Sequence, residues 1–85
     1  MQLNRNEIME RLKDILLMAD DRNQKLIENC TEDFKLVTDL GLSSVAMLYV
    51  VIAIEETFGI RFDNVGIADF ETVKNVVDFI EEKLK

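Results

Sequence analysis

The sequence predicts an all-α protein, a four-helix bundle with a long first loop and a short third helix, built as one domain over residues 1–85. Apolar residues recur at helical spacing in several segments, and no segment shows the period-two alternation of a β-strand. Proline is absent, and the chain has three glycines. Hydrophobic residues make up 48 % of the chain, which is enough to form a core and argues against disorder.

The first helix is predicted to start at Asn4. Asn4 and Glu7 have the spacing of a capping box, and Leu3 and Ile8 have the spacing of a hydrophobic staple. The polar cluster at 20–23 then ends the helix. One apolar stripe at helical spacing runs along it: Ile8, Leu12, Ile15, Leu16 and Ala19.

Residues 20–43 form a long connection, which is uncommon in so small a domain and is usually functional. Within it, the pattern offers a short helical turn at 24–29. We expect the apolar residues of this connection to pack across the helices and hold it in place. They are Leu26, Ile27, Phe34, Leu36, Val37 and Leu40.

The second helix is predicted at 44–58, and Gly59 follows it as the residue type that most often ends a helix. A short turn or helix is expected at 64–70, and we count it as the third helix. Thr72 can cap the last helix, at 72–84. Apolar residues point inward from both later helices: Val65, Ile67 and Phe70 from the third, and Val73, Val76, Val77, Ile80 and Leu84 from the last.

The charge and the missing residue types exclude several functions. The formal charge of −7 makes nucleic acid and anionic membranes poor partners, and basic patches on other proteins are better ones. Histidine is absent, so the chain holds neither a Ser-His-Asp nor a Cys-His catalytic arrangement. The single cysteine, Cys30, has no internal disulfide partner and suits a reducing cytoplasm. No segment is long enough for a membrane span, and no signal-peptide pattern is present.

The second helix divides into two faces when its residues are placed about 100° apart. The predicted core stripe comprises Met47, Val50, Val51, Ile54 and Phe58. The other side carries Val45, Leu48, Tyr49, Ile52, Glu55 and Glu56, so apolar side chains lie beside acids. Such a surface is typical of a site where another protein docks. The alternative is that this helix is central and buried on both sides.

Ser44 stands where a polar, glycine-containing turn meets the apolar run of the second helix. A hydroxyl at a helix N-terminus faces the positive end of the helix dipole, a position that suits a covalently attached phosphate. We therefore interpret Ser44 as a modification site beside the docking surface.

Three segments carry a resemblance to a known family. Residues 39–45, DLGLSSV, resemble the D-L-G-x-D-S-L signature of acyl carrier proteins. Residues 53–60, AIEETFGI, resemble the A-L-E-E-x-F-x-I segment of that family, and residues 72–80 match its T-V-x-x-x-x-D-[FY]-I close. The segments agree in order and spacing, and the resemblance covers residues 4–84.

The resemblance implies a non-enzymatic carrier whose Ser44 bears 4′-phosphopantetheine, attached from coenzyme A by a phosphopantetheinyl transferase of the holo-acyl-carrier-protein synthase type. The thiol of the arm would carry acyl groups as thioesters in fatty-acid or polyketide-type biosynthesis. Its partners would be acyl-transferring and ketosynthase-type enzymes with basic docking patches. Asp39 would steer the transferase or hold the turn. The remaining partner-recognition residues would be Val45, Leu48, Tyr49, Ile52, Glu55 and Glu56.

Several positions depart from the family pattern. Ser43 replaces the usual aspartate, Val45 replaces leucine, Tyr49 stands where many fatty-acid carriers have an acid, and Asp63 stands where proline is usual. The solvent face of the second helix is therefore less acidic, which points to a dedicated carrier of a specialised pathway such as polyketide synthesis. Ser43 leaves two interpretations open: it is a second modifiable hydroxyl, or its side chain caps the helix.

Two alternatives remain beside the carrier interpretation. A peptidyl or D-alanyl carrier is the nearest, although residues 40–44 do not match the L-G-G-x-S form of peptidyl carriers. The other is a helical interaction module that never bears a prosthetic group. A calcium sensor is disfavoured because residues 63–69 lack the alternating oxygen ligands of an EF-hand loop. In each case we expect a monomer.

Overall fold

A computed structural model describes residues 4–20, 22, 24–62 and 70–84. Four helices lie within these ranges: α1 (Arg5–Ala19), α2 (Gln24–Glu28), α3 (Ser44–Phe58) and α4 (Val73–Leu84). These described ranges contain an isolated bridge between Lys35 and Thr72 but no strand. The prediction of an all-α bundle with a long first loop is therefore confirmed.

The two short helical segments that the sequence predicted differ in how far the structure describes them. The predicted third helix at 64–70 lies outside the described residues except for Phe70, which is buried. The helical turn offered at 24–29 is present as the five-residue helix α2. None of the helices in the described ranges is long and apolar enough to cross a membrane.

The capping box of α1 forms as the sequence predicted, whereas Leu3 of the predicted hydrophobic staple lies outside the described residues. The side chain of Asn4 accepts a hydrogen bond from the backbone N–H of Glu7 at 2.9 Å, and Glu7 accepts one from the backbone N–H of Asn4 at 3.3 Å. This reciprocal pair satisfies donors that a helix N-terminus otherwise leaves unpaired. Four members of the predicted stripe are buried: Ile8, Leu12, Ile15 and Leu16.

The core lies where α1 packs against α3 and α4, and the first loop closes it. Thr72 caps α4, because its hydroxyl accepts a hydrogen bond from the backbone N–H of Asn75 at 3.2 Å. Gly59 ends α3 in the left-handed conformation at φ 67°, which glycine adopts without a side-chain penalty. The fully buried side chains include Leu12, Leu16, Ile27, Leu36, Leu40, Met47, Ile54 and Ile80.

The first loop is tied to the start of α4 by backbone hydrogen bonds. Leu36 donates to the carbonyl of Glu71 at 3.0 Å, and Val73 donates to the carbonyl of Phe34 at 2.9 Å. The expectation that every apolar residue of this loop packs inward is wrong for Leu26 and Val37, which are 39 % and 60 % exposed. Their immediate neighbours Ile27 and Leu36 occupy the core, so Leu26 on α2 and Val37 in the loop each face away from it.

One arginine joins three parts of the chain. The guanidinium of Arg5, in the first turn of α1, pairs with Glu32 in the loop and with Asp78 and Glu81 in α4. The distances to Asp78 and Glu81 are 2.7 and 3.2 Å. The hydrogen bond with Glu32 is the largest cause of the raised pKa of Arg5. The ion pairs hold the first turn of α1 and the last turns of α4 at the same end of the bundle.

Candidate functional site

Ser44 is the first residue of α3, and its side chain is exposed. Within the described part of the chain, the hydroxyl of Ser44 makes no hydrogen bond. The turn that leads to it is well fixed, because Asp39 accepts a hydrogen bond from the backbone N–H of Lys35 at 2.8 Å and Leu42 is buried. Gly41 provides the left-handed backbone of this turn at φ 70°. The turn therefore presents an exposed hydroxyl oxygen at the N-terminus of a 15-residue helix.

The side chain of Ser43, unlike that of Ser44, is hydrogen-bonded to the backbone of α3. Its hydroxyl accepts a hydrogen bond from the backbone N–H of Ala46 at 3.1 Å, and its carbonyl accepts one from Met47 at 2.9 Å. Ser43 is thus the N-cap of α3, which is the capping interpretation left open above. One hydroxyl oxygen of the adjacent pair is engaged in holding the helix, while the other faces outward.

The exposed side of α3 carries a continuous apolar surface, which we call the docking face. Its members Val45, Leu48, Tyr49 and Ile52 are 79 %, 53 %, 41 % and 48 % exposed. On the opposite side Ala46, Met47, Val50 and Ile54 are buried. The alternative that α3 is buried all round is therefore wrong. The predicted core positions Val51 and Phe58 are only half-buried, because each lies at the border between the two sides.

The two glutamates that the sequence paired are not equivalent. Glu55 is half-buried, and its carboxylate accepts a hydrogen bond from the backbone N–H of Phe62 at 3.0 Å, which fixes the chain after Gly59. Glu56 is exposed. Asp39 likewise holds its turn, the second of the two roles considered for it. Of the three predicted acids, Glu56 is the one whose carboxylate has no hydrogen bond or ion pair to the rest of the described chain.

An open groove of about 510 Å³ separates the docking face from the end of α1. The α1 side contributes Met18, which is 75 % exposed, and an ion pair in which Arg22 donates to Asp20 at 3.0 Å. The α3 side contributes Val45 and Tyr49. Sequence analysis missed Met18. A signal was present, since Met18 is an apolar residue outside the stripe of α1.

Two titratable groups near the core have shifted pKa values. Hydrogen bonds from Arg22 lower the pKa of Asp20, whose side chain is buried at the rim of the groove. Burial raises the pKa of the Cys30 thiol, with Lys13 acting in the opposite direction. Cys30 is therefore kept as an unreactive thiol. Among the described residues, no group of three His, Cys, Asp or Glu side chains is placed to hold a metal ion.

Comparison with known proteins identifies the class of this helical chain. Residues 6–80 match the family described as the phosphopantetheine attachment site. The acyl carrier protein of Thermotoga maritima is 32 % identical over 83 residues, which cover 95 % of this chain and 96 % of that protein. The acyl carrier protein of Coprothermobacter proteolyticus is 34 % identical over 82 residues, which cover 96 % of each chain. That of Buchnera aphidicola is 33 % identical over 76 residues, covering 89 % of this chain and 91 % of that protein.

The chain is thus a phosphopantetheine-binding protein, and it belongs to the acyl carrier protein family. Members of this family are carriers rather than catalysts, and their prosthetic group is covalently attached 4′-phosphopantetheine. The start of α3 fits such a group. An exposed hydroxyl stands there at the positive end of a helix, where a phosphodiester is favoured, and the turn before it is fixed.

Proposed function

We propose that Ser44 is the attachment point of 4′-phosphopantetheine and that the chain carries acyl groups as thioesters on that arm. The observation that supports this most strongly is the contrast between the two neighbouring serines. Ser43 uses its oxygen as the cap of α3, while the hydroxyl of Ser44 is exposed one residue further on. The alignment of residues 39–45 with the family signature also supports the proposal, because Ser44 falls on the position of the signature serine.

The attachment is a phosphoryl-type transfer from coenzyme A. The oxygen of Ser44 attacks the phosphorus that bears the pantetheine group, and a new Oγ–P bond forms. The P–O bond of the coenzyme A pyrophosphate breaks, and adenosine 3′,5′-bisphosphate leaves with the electron pair. The hydroxyl proton passes to a base of the transferase, since no side chain of the described residues forms a hydrogen bond with the Ser44 hydroxyl. The chain contributes an accessible nucleophile and a helix dipole that favours the product phosphodiester.

The reactive thiol in this proposal belongs to the arm, and the protein supplies attachment, orientation and recognition. Cys30 is a poor candidate for the acyl-bearing sulfur, because it is buried and its pKa is raised. We place this chemistry in a reducing cytoplasm, where a single unpaired cysteine and a free arm thiol persist.

Incubation with coenzyme A and a broad-range phosphopantetheinyl transferase tests the assignment, with intact mass as the readout. The wild-type protein is expected to gain the mass of one phosphopantetheine group. Ser44→Ala should gain none, and Ser43→Ala should be modified to completion. A full mass gain on Ser44→Ala would refute the assignment. An unmodified wild-type protein would instead favour a helical interaction module without a prosthetic group.

The composition of the docking face supports a carrier for a dedicated pathway, such as polyketide synthesis, over general fatty-acid synthesis. Between Ser44 and Ala53 there is no acid, and the first exposed one along α3 is Glu56. Acyl-transferring enzymes with strongly basic docking patches would therefore find few charges to bind. Loading the modified protein with acyl-activating enzymes of both pathways, and with aminoacyl-activating ones, separates these options from a peptidyl or D-alanyl carrier.

Glu56 would supply the charged part of this contact. Glu56→Lys is expected to slow modification mainly through the association rate and to flatten its dependence on salt, because opposite charges steer encounter. Glu56 is a cleaner target than Glu55, whose carboxylate also holds the backbone of Phe62. An unchanged rate at low salt would count against a role for Glu56.

A further inference from the structure

We propose that the enzyme that modifies Ser44 inserts an apolar side chain into the groove between α1 and α3, with Met18 as one wall. This inference rests on the proposed attachment at Ser44 and extends the docking surface from one helix to two. The described residues of its lining that bear on this inference are Met18, Asp20, Arg22, Ser43, Val45 and Tyr49.

The position of the groove makes it part of any approach to Ser44. Both sequence neighbours of that serine, Ser43 and Val45, contribute to its lining. A transferase must bring the pyrophosphate of coenzyme A to the Ser44 oxygen, so its surface has to cover this first turn of α3. An enzyme that covers the first turn and the docking face therefore also covers the groove beside them.

The chemistry of the walls indicates what fills the groove. Met18, Val45 and Tyr49 place three large apolar side chains around it, each at least 41 % exposed. Leaving that much apolar surface in water is unfavourable, and covering it with another apolar group recovers free energy on binding. The volume of about 510 Å³ accommodates a side chain of the size of leucine, methionine or phenylalanine.

The charges of the lining argue against a cationic occupant. The protein as a whole carries a formal charge of −7, yet the described residues that line the groove include one acid and one base, and these two are paired with each other. The carboxylate of Asp20 binds Arg22 through both of its oxygens, at 3.0 Å in each contact. A lysine or arginine of the partner would gain little from such a balanced pair.

The geometry of α3 also predicts the spacing between two groups on the partner surface. Tyr49 and Glu56 are seven residues apart, so they lie on the same side of the helix about 10 Å from each other. The partner surface that fits has an apolar anchor over the groove and a basic side chain about 10 Å away over Glu56. Such a surface uses electrostatic steering at one end and apolar burial at the other.

Met18→Gln is the variant that isolates this contact. Methionine and glutamine are similar in length and in helix propensity, and Met18 is already mostly in water, so the fold should be unaffected. We expect the KM for modification to rise about fivefold with kcat unchanged, since Met18 does not touch the reacting oxygen and its contact contributes equally to substrate and transition-state binding. Met18→Leu should restore the wild-type KM.

Leu26→Gln is the matched control, because Leu26 is an exposed apolar residue that does not line the groove. Its kinetics should equal those of the wild type. Equal KM values for Met18→Gln and Leu26→Gln would overturn the inference while leaving the attachment at Ser44 intact. Absence of any mass gain on the wild-type protein would instead remove the proposed function itself.

Met18→Glu distinguishes an apolar occupant from a basic one. An apolar side chain against the added carboxylate should raise KM further than the glutamine does, because a charge is desolvated without a partner. A lower KM than that of the wild type would mean that the enzyme places a basic group there, which would overturn the inference. So would a wild-type dimer that becomes monomeric in this variant, because a second copy of the chain would then fill the groove.

Discussion

The cap of α3 supports a prediction whose size follows from the structure. Ser43→Ala removes the acceptor for the backbone N–H of Ala46, which now lies at 3.1 Å. Loss of a serine N-cap costs about 1 kcal/mol of stability. In a domain of 85 residues a change of about 1 kcal/mol lowers Tm by roughly 4–8 °C. Thermal unfolding followed by circular dichroism measures the shift, and intact mass shows that modification at Ser44 still reaches completion.

Ser43→Asp is the matched control for this experiment. Aspartate caps helices about as well as serine, and its negative charge at the helix N-terminus adds about 0.3–1 kcal/mol. This variant should therefore unfold at or above the wild-type temperature. If Ser43→Ala and Ser43→Asp both had the wild-type Tm, the hydrogen bond to Ala46 would contribute nothing to the first turn of α3. That result would refute the reasoning from the cap.

Three further predictions concern side chains away from this cap. Glu55→Ala should cost about 1 kcal/mol in denaturant unfolding, because the backbone N–H of Phe62 loses its acceptor; a wild-type stability would contradict this. In the modified protein, iodoacetamide should label the arm thiol in the native state and Cys30 only after unfolding, since burial raises the pKa of Cys30; two native adducts would contradict it. Asp20→Asn should destabilise the protein at neutral pH, because hydrogen bonds from Arg22 lower the pKa of this carboxyl in the folded state. That stabilisation is present above the ordinary pKa of about 3.9 and is lost as the pH falls through the lower folded value, so the difference in Tm between variant and wild type should close in acid.

The three long helices could be predicted because their signals are local. Asn4 with Glu7, Thr72 and Gly59 each act on backbone groups within a few residues, so their meaning is visible in the chain itself. The exposed face of α3 was equally predictable from its period. Whether a residue lies on the exposed or the buried side of α3 depends only on its angle around the helix axis.

The details that sequence analysis missed depend on contacts between distant residues. Both glutamates lie outside the predicted core stripe, and only the return of the chain at Phe62 gives Glu55 a hydrogen-bond donor. Val37 is as apolar as a core residue, but its neighbour Leu36 is the one whose side chain lies in the core. Met18 becomes part of a groove only because the end of α1 lies against the start of α3.

The ion pairs of Arg5 have a practical consequence for handling the protein. They place the first turn of α1 beside the last turns of α4, whereas Ser44 and the groove lie near the other end of α1. Fourteen residue-to-residue steps of helix lead from Arg5 to Ala19, a length of about 21 Å. A tether, a fluorophore or a fused domain joined to the chain near Arg5 or Leu84 would therefore sit on the far side of the bundle, and an immobilised carrier would still offer its serine to incoming enzymes.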